Sequence, residues 1–188
     1  MTFSRALRAL LRQDPDVVLL GEIRDMETAS VAIQAAMTGH LVLSTLHTND
    51  APSSLTRLIN IGIEPFLVAS AVNAVLAQRL ARRVCTKCVQ MKKPTKKEEK
   101  LLEGFVYDMI PHAVGCSACR GSGYSGRLGV YELLIMDDEL RDAIASNPTI
   151  TSFRKLAMKR GMRNLRLDGF AKVTEGFTTF DEILRLTE

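Results

Sequence analysis

The chain has 188 residues, 46% of them hydrophobic, enough for one large or two small folded domains and too many for wholesale disorder. Its 25 basic and 21 acidic residues leave a net charge of +4, too little by itself to mark a nucleic-acid or membrane-surface binder, and the absence of Trp with only 5% aromatics disfavours a base-stacking surface. No stretch reaches the roughly 18 apolar residues of a membrane span, and the Arg-bearing start lacks the apolar centre of a secretory signal, so a cytosolic chain with reduced thiols is expected.

In chain order, residues 3–12 read as the end of a helix with Leu7, Leu10 and Leu11 on one face, stopped by Pro15. Val17–Leu20 is a short, continuous apolar run, the pattern of a strand buried on both faces. Asp25 caps a helix through about Met37, closed by Gly39. A second apolar strand, "LVLSTL", occupies 41–46. A helix near 52–60 follows, then a longer one that Pro65 opens and that ends near Leu80; it is apolar nearly all round and is expected to be buried. Alternating strands and helices predict a parallel sheet with helices packed on it. Cysteines, lysines and glycines then run to Gly126, the Lys/Glu run at 92–100 reading as a solvated linker or helix face, before "RLGVYELLIMD" resumes an apolar strand. The last 50 residues look helical, with Leu140, Ala143 and Ile144 on one face and Phe153, Leu156 and Ala157 on another; Thr179 and Glu182 have capping-box spacing.

Two CxxC pairs, Cys85/Cys88 and Cys116/Cys119, are the most specific local signal. Each lets two thiolates converge on one ion from a tight turn, and together they make a closed, structural tetrahedral site for zinc. Redox pairs or buried free thiols are the alternatives, weakened by the absence of a thioredoxin-like context. Gly121, Gly123 and Gly126 satisfy GxGxxG, but a cysteine knuckle precedes them and a β-type stretch follows, so they read as turn glycines rather than a dinucleotide loop. No GxxxxGK[ST] occurs.

If Val17–Leu20 is a buried parallel strand, Glu22 emerges at its carboxyl end, where open α/β sheets bind ligands. A carboxylate there can polarise an attacking water or hold one of the waters around Mg²⁺, and Gly21 leaves room for a phosphate or metal. The alternative is an acid that merely pairs with Arg24. At the end of the second strand, "STLHTND" clusters hydroxyls with His47, which can donate to a γ-phosphate; His40, seven positions earlier, points to the other face.

Taken together, "LRQDPDVVLLGEIRDMETASVAIQAAMTGHLVLSTLHTNDAPSSLTRLINIGIEP", the tetracysteine lobe, "GYSGRLGVYELL" and "LRLDGFAKVTEGFTTFDEILRLT" resemble, in order and over essentially the whole chain, the secretion ATPases of type II secretion and type IV pilus assembly. The resemblance implies an α/β fold: part of a RecA-like P-loop ATPase core lacking its Walker A half (residues 1–82), a tetracysteine metal-binding lobe (83–126), and a returning strand with a C-terminal helical subdomain (127–188). Glu22 would be the Walker B glutamate, with Gly21 in place of the usual aspartate, and His47 the histidine-box residue, with His40 a weaker partner. Cys85, Cys88, Cys116 and Cys119 would bind zinc. Retraction members generally lack the cysteine lobe, so its presence favours a secretion or assembly motor.

The resemblance further implies ATP, Mg²⁺ and Zn²⁺ as cofactors. It implies a cytoplasmic homohexamer, docked through an inner-membrane platform protein at the inner membrane of a bacterium, without nucleic acid. Arg5, Arg8, Arg12 and Arg24 are candidates to reach across a subunit boundary. The family's phosphate-binding loop lies upstream of the matching region, so the chain reads as a C-terminal fragment, or the product of a truncated gene, inactive alone. A zinc-ribbon nucleic-acid module, or a non-catalytic docking and assembly domain, are the competing readings.

Overall fold

The computed structural model describes residues 6, 9–13 and 15–187, which form two compact units. The first joins residues 1–76 to 133–162, and the second joins 77–132 to 163–188. Leu7, Arg5 and Arg8 of the expected first helix lie outside the described residues; residues 9–11 are helical.

In the first unit, strand β1 (Val17–Leu20) pairs in parallel with β2 (Leu41–Ser44), Val17 opposite Leu41 and Leu20 opposite Ser44. Helix α1 (Met26–Met37) connects them, its N-terminus capped by the Asp25 carboxylate accepting from the Thr28 amide at 2.8 Å. Gly39 leaves the helix with a φ of 102°, a left-handed conformation that favours glycine. Val18 and Leu20 are buried against Val31 and Ala32. The opposite face corrects the expectation of a strand covered on both sides: Val17 and Leu19 are 54% and 75% exposed, with Leu41 and Leu43 open beside them. Among the described residues, that face is largely open to solvent.

Helix α2 (Ala51–Asn60) is capped by Asp50, and α3 spans Pro65–Ala71. Here the expected helix to Leu80 is wrong. The chain turns extended at Val72 and becomes strand β3 (Ala74–Val84), paired with β6 (Tyr124–Ile135). Leu76 and Leu80, which imitate a helical stripe, are exposed, and burial alternates with the two-residue period of a strand. Pairing with a partner some 50 positions away overrides the local pattern. Most of β3 and β6 (77–84 and 124–132) belongs to the second unit, and helices α5 (Asp138–Ala145) and α6 (Ile150–Lys159) complete the first. Arg141 donates to the Ala69 carbonyl at the end of α3, and Arg154 to Asp50.

The second unit holds a short antiparallel pair, β4 (Gln90–Lys92) with β5 (Ile110–His112), and between them helix α4 (Lys96–Leu101), solvated as expected. Helices α7 (Leu165–Thr174) and α8 (Phe180–Thr187) close it over a core of Leu102, Ile110, Val130, Phe170 and Ile183. The Phe170 and Phe180 rings stack 5.2 Å apart. Gly169 permits this approach, since a Cβ there would lie 2.5 Å from the Ile183 side chain. These discontinuous units cut across the contiguous 1–82, 83–126 and 127–188 segments, because α5 and α6 pack on the helices of the first segment while α7 and α8 pack on the cysteine-bearing part.

Candidate functional site

Parallel pairing brings the carboxyl ends of β1 and β2 side by side. Just past them, the Ile23 amide donates to the Thr45 carbonyl at 3.1 Å, and the Thr45 hydroxyl donates to the Gly21 carbonyl at 2.6 Å. The two crossed bonds bracket Glu22 and set it beside His47, whose Nε2 lies 3.1 Å from Glu22 Oε2. Arg24 Nε donates to the same oxygen at 2.6 Å. The acid makes the pair with Arg24 that the simpler alternative expects, and it also meets the imidazole. The Arg24 hydrogen bond, with a smaller contribution from His47, holds the Glu22 carboxyl below its ordinary range. An ionised carboxylate with an oxygen free of both partners can accept a proton or a hydrogen bond from water. His47, with 84% of its side chain exposed, is open to an incoming anion. At Gly21 an added Cβ would meet nothing within 4 Å, so the space beside the strand end is open.

His40 does not join this pair. Its Nδ1 sits 3.0 Å from the Ala35 carbonyl and 3.2 Å from the Thr38 hydroxyl, at the carboxyl end of α1. On the far side of the histidine segment, Thr48 and Ser54 share a hydroxyl contact of 2.7 Å. Burial pushes the Asp50 carboxyl up, but hydrogen bonds from Ser53 and the Arg154 guanidinium outweigh it and bring it below the usual range. Sequence reasoning missed Thr45 and Arg154. Thr45 stood within the quoted cluster, while Arg154 lies 104 positions from Asp50 with no local signal.

The four cysteines converge in the second unit. Their sulfurs all lie within 4.8 Å of one another, with Cys85–Cys116 at 4.0 Å and Cys88–Cys119 and Cys116–Cys119 at 3.8 Å. Four sulfurs at about 2.3 Å from one tetrahedral zinc are about 3.8 Å apart, so the donor set fits that ion. The surrounding backbone is built for thiolates. Cys119 Sγ accepts from the amides of Cys116 at 3.1 Å and Gly123 at 3.2 Å, and these bonds bring its thiol down to about 6. Burial and neighbouring thiols push Cys88 up to about 12, as befits protons shared among crowded sulfurs that a cation would displace. Glycine is required at two places here. A Cβ on Gly115 would lie 2.5 Å from the Gly121 carbonyl oxygen, and one on Gly123 2.7 Å from the Ala113 side chain. Gly121 and Gly123 stand between a short 3₁₀ turn (Ser117–Cys119) and β6, so the GxGxxG spacing is turn structure and not a dinucleotide loop.

A strand-end acid meeting a histidine, in an α/β fold that also carries a four-cysteine cluster, describes a class that comparison with known proteins makes definite. The model of the Type II/IV secretion system protein family matches residues 1–185, and the chain belongs to that family. It is 51% identical over 187 residues to the type II secretion system protein HxcR of Pseudomonas aeruginosa, covering 100% of this chain and 37% of that one. It is 48% identical to the type IV pilus assembly ATPase PilB of Thermus thermophilus, covering 100% and 22%, and 46% identical to the type II secretion system ATPase E of Vibrio cholerae, covering 100% and 38%. The chain thus spans between about a fifth and two fifths of these relatives. The crystal structure of the pilus retraction motor PilT with bound ADP matches with a TM-score of 0.69 at 26% identity, over 98% of this chain and 43% of that one. No helix among the described residues is long and apolar enough to cross a membrane.

Proposed function

We propose that these residues form the Walker B and histidine-box part of an ATP-hydrolysing motor for type II secretion or type IV pilus assembly. The observation that carries the reading is the Glu22–His47 contact at the ends of two paired parallel strands, in a chain whose relatives include named ATPases. Glu22 is assigned to polarise the attacking water or to hold a water of the Mg²⁺ shell, and His47 to donate toward the γ-phosphate. Gly21 leaves the approach open. His40, bound to the end of α1, is assigned to support the histidine segment rather than to touch nucleotide. Bound Mg²⁺ supplies charge neutralisation at the phosphates. The four cysteines hold zinc as a structural ion, since all four positions are filled by protein.

The working assembly is proposed to be a homohexamer on a RecA-like core, at the cytoplasmic face of the inner membrane and docked on a platform protein. The 188 residues contain no phosphate-binding GxxxxGK[ST] loop, so this segment alone should not turn over ATP. Mg²⁺-dependent hydrolysis is to be measured on this chain beside a longer protein that includes such a loop. Turnover only in the longer protein, abolished by Glu22→Gln with nucleotide binding retained, supports the motor. An active Glu22→Gln enzyme removes the role given to Glu22, and a folded, inert longer protein moves a docking function to the front.

A further inference from the structure

We propose that the cysteine cluster and helix α8 form a single metal-dependent latch, joined through Tyr124 and Arg82. The inference rests on the zinc reading of the four cysteines and extends it to a helix that contributes no ligand.

Gly123 is tied to both knuckles: its amide donates to Cys119 Sγ at 3.2 Å, and its carbonyl accepts from the Cys85 amide at 2.9 Å. The next residue, Tyr124, carries the connection onward in two directions. Its ring lies beneath the Arg82 guanidinium, 4.1 Å from carbon to centroid, a geometry that holds a cation over an aromatic face. Its hydroxyl is 2.8 Å from that of Thr179, the residue before α8, which in turn accepts from the Glu182 amide at 3.3 Å. Arg82 completes the circuit. Its backbone amide reaches Glu182 Oε1 at 3.0 Å, and its Nε and a terminal nitrogen reach Oε2 at 2.9 and 2.6 Å. Arg185 adds bonds of 3.1 and 2.8 Å to the same carboxylate, and Thr178 donates to the Arg82 carbonyl at 2.8 Å.

The Glu182 side chain has no exposed surface, so α8 sits well only while its guanidinium partners stay in place. The Arg82 guanidinium is supported by Tyr124, and Tyr124 is aimed by Gly123, which the Cys119 sulfur and the Cys85 amide hold. Phe180 and Ile183 anchor α8 in the apolar core, and the polar path acts beside them at its first turn. A cavity of about 90 Å³, lined by Glu98, His112, Tyr124, Thr179, Phe180 and Asp181, separates the start of α8 from the β5 side of the lobe. Without a metal the four sulfurs lose their common centre, Gly123 is no longer held from both sides, and the loss is felt at α8.

Hydrogen–deuterium exchange on the full chain tests the latch, after its zinc content has been measured. In the zinc-loaded wild type, removing the metal with a picolyl chelator should speed exchange of the Phe180–Thr187 amides about tenfold or more, with Asp138–Ala145 in the other unit unchanged. Tyr124→Leu should still bind zinc, yet exchange fast at α8 with or without it. Tyr124→Phe, which keeps the ring under Arg82, should retain part of the response. Should Tyr124→Leu not fold, the wild-type and Tyr124→Phe measurements decide. A chain that binds no zinc removes the metal reading and the latch together. A chain that binds zinc but shows no selective change at α8, or a general rise that includes Asp138–Ala145, overturns the latch alone.

Discussion

Glu22 uses one oxygen, Oε2, for both of its partners, Arg24 and His47. That economy leaves Oε1 for water, and it makes the direction of the carboxylate depend on how residues 21–23 are held. Thr45 does that holding from the neighbouring strand, its hydroxyl on the Gly21 carbonyl and its own carbonyl on the Ile23 amide. It is therefore a positioning residue for the proposed chemistry. In a hydrolysis-competent longer protein, Thr45→Val keeps the shape and removes the hydroxyl bond, which is worth about 1 kcal/mol. The expected result is a fall in kcat of about fivefold with KM little changed, while Thr45→Ser restores the rate. Equal losses in Val and Ser, or a rise in KM with kcat intact, would show that the hydroxyl does not act through Glu22.

At the scale of elements, α8 carries the clearest pH dependence. Burial raises the Glu182 carboxyl, but hydrogen bonds from Arg185 and Arg82 more than compensate and bring it to about 2, against an ordinary 4.5. Since the folded value is the lower one, the stabilisation is complete above 4.5 and is lost as pH falls toward 2, amounting to about 3 kcal/mol. Urea midpoints measured from pH 6 to pH 2.5 should fall more steeply for the wild type than for Glu182→Gln, which starts less stable because Arg82 and Arg185 lose their charge partner. Parallel curves would refute the assignment.

Glu182 also shows how far the sequence could be read. The spacing of Thr179 and Glu182 predicts a capping box, and Thr179 does accept from the Glu182 amide. The carboxylate, however, turns to Arg82, 100 positions away, a choice no local window contains. The same divide runs through the chain. The caps at Asp25 and Asp50, the parallel pair, the cysteine convergence and the meeting of Glu22 with His47 follow from neighbours in sequence or from regular topology. Strand β3 did not, since Leu76 and Leu80 mimic a helix face and only pairing with β6 settles its state.

For the molecule as a whole, the exposed side of the β1–β2 sheet matters most. Val17, Leu19, Leu41 and Leu43 stand opposite one another in register and are all between 46% and 75% exposed. Parallel sheets are normally covered on both faces, because their crossover connections place helices there. The matched segment is 22% to 38% of its relatives' lengths, which leaves chain in those proteins to supply a cover. In the 188-residue chain the four side chains form an apolar patch that should bind a hydrophobic dye such as ANS at neutral pH. Leu19→Ser with Leu43→Ser should cut that fluorescence by about half or more while leaving the circular dichroism unchanged, since both side chains already face water. Full fluorescence in the double variant would place the dye elsewhere. A longer protein should bind less dye per chain than this one if the face is an interior surface of the proposed motor; equal binding would mean that it stays open there too.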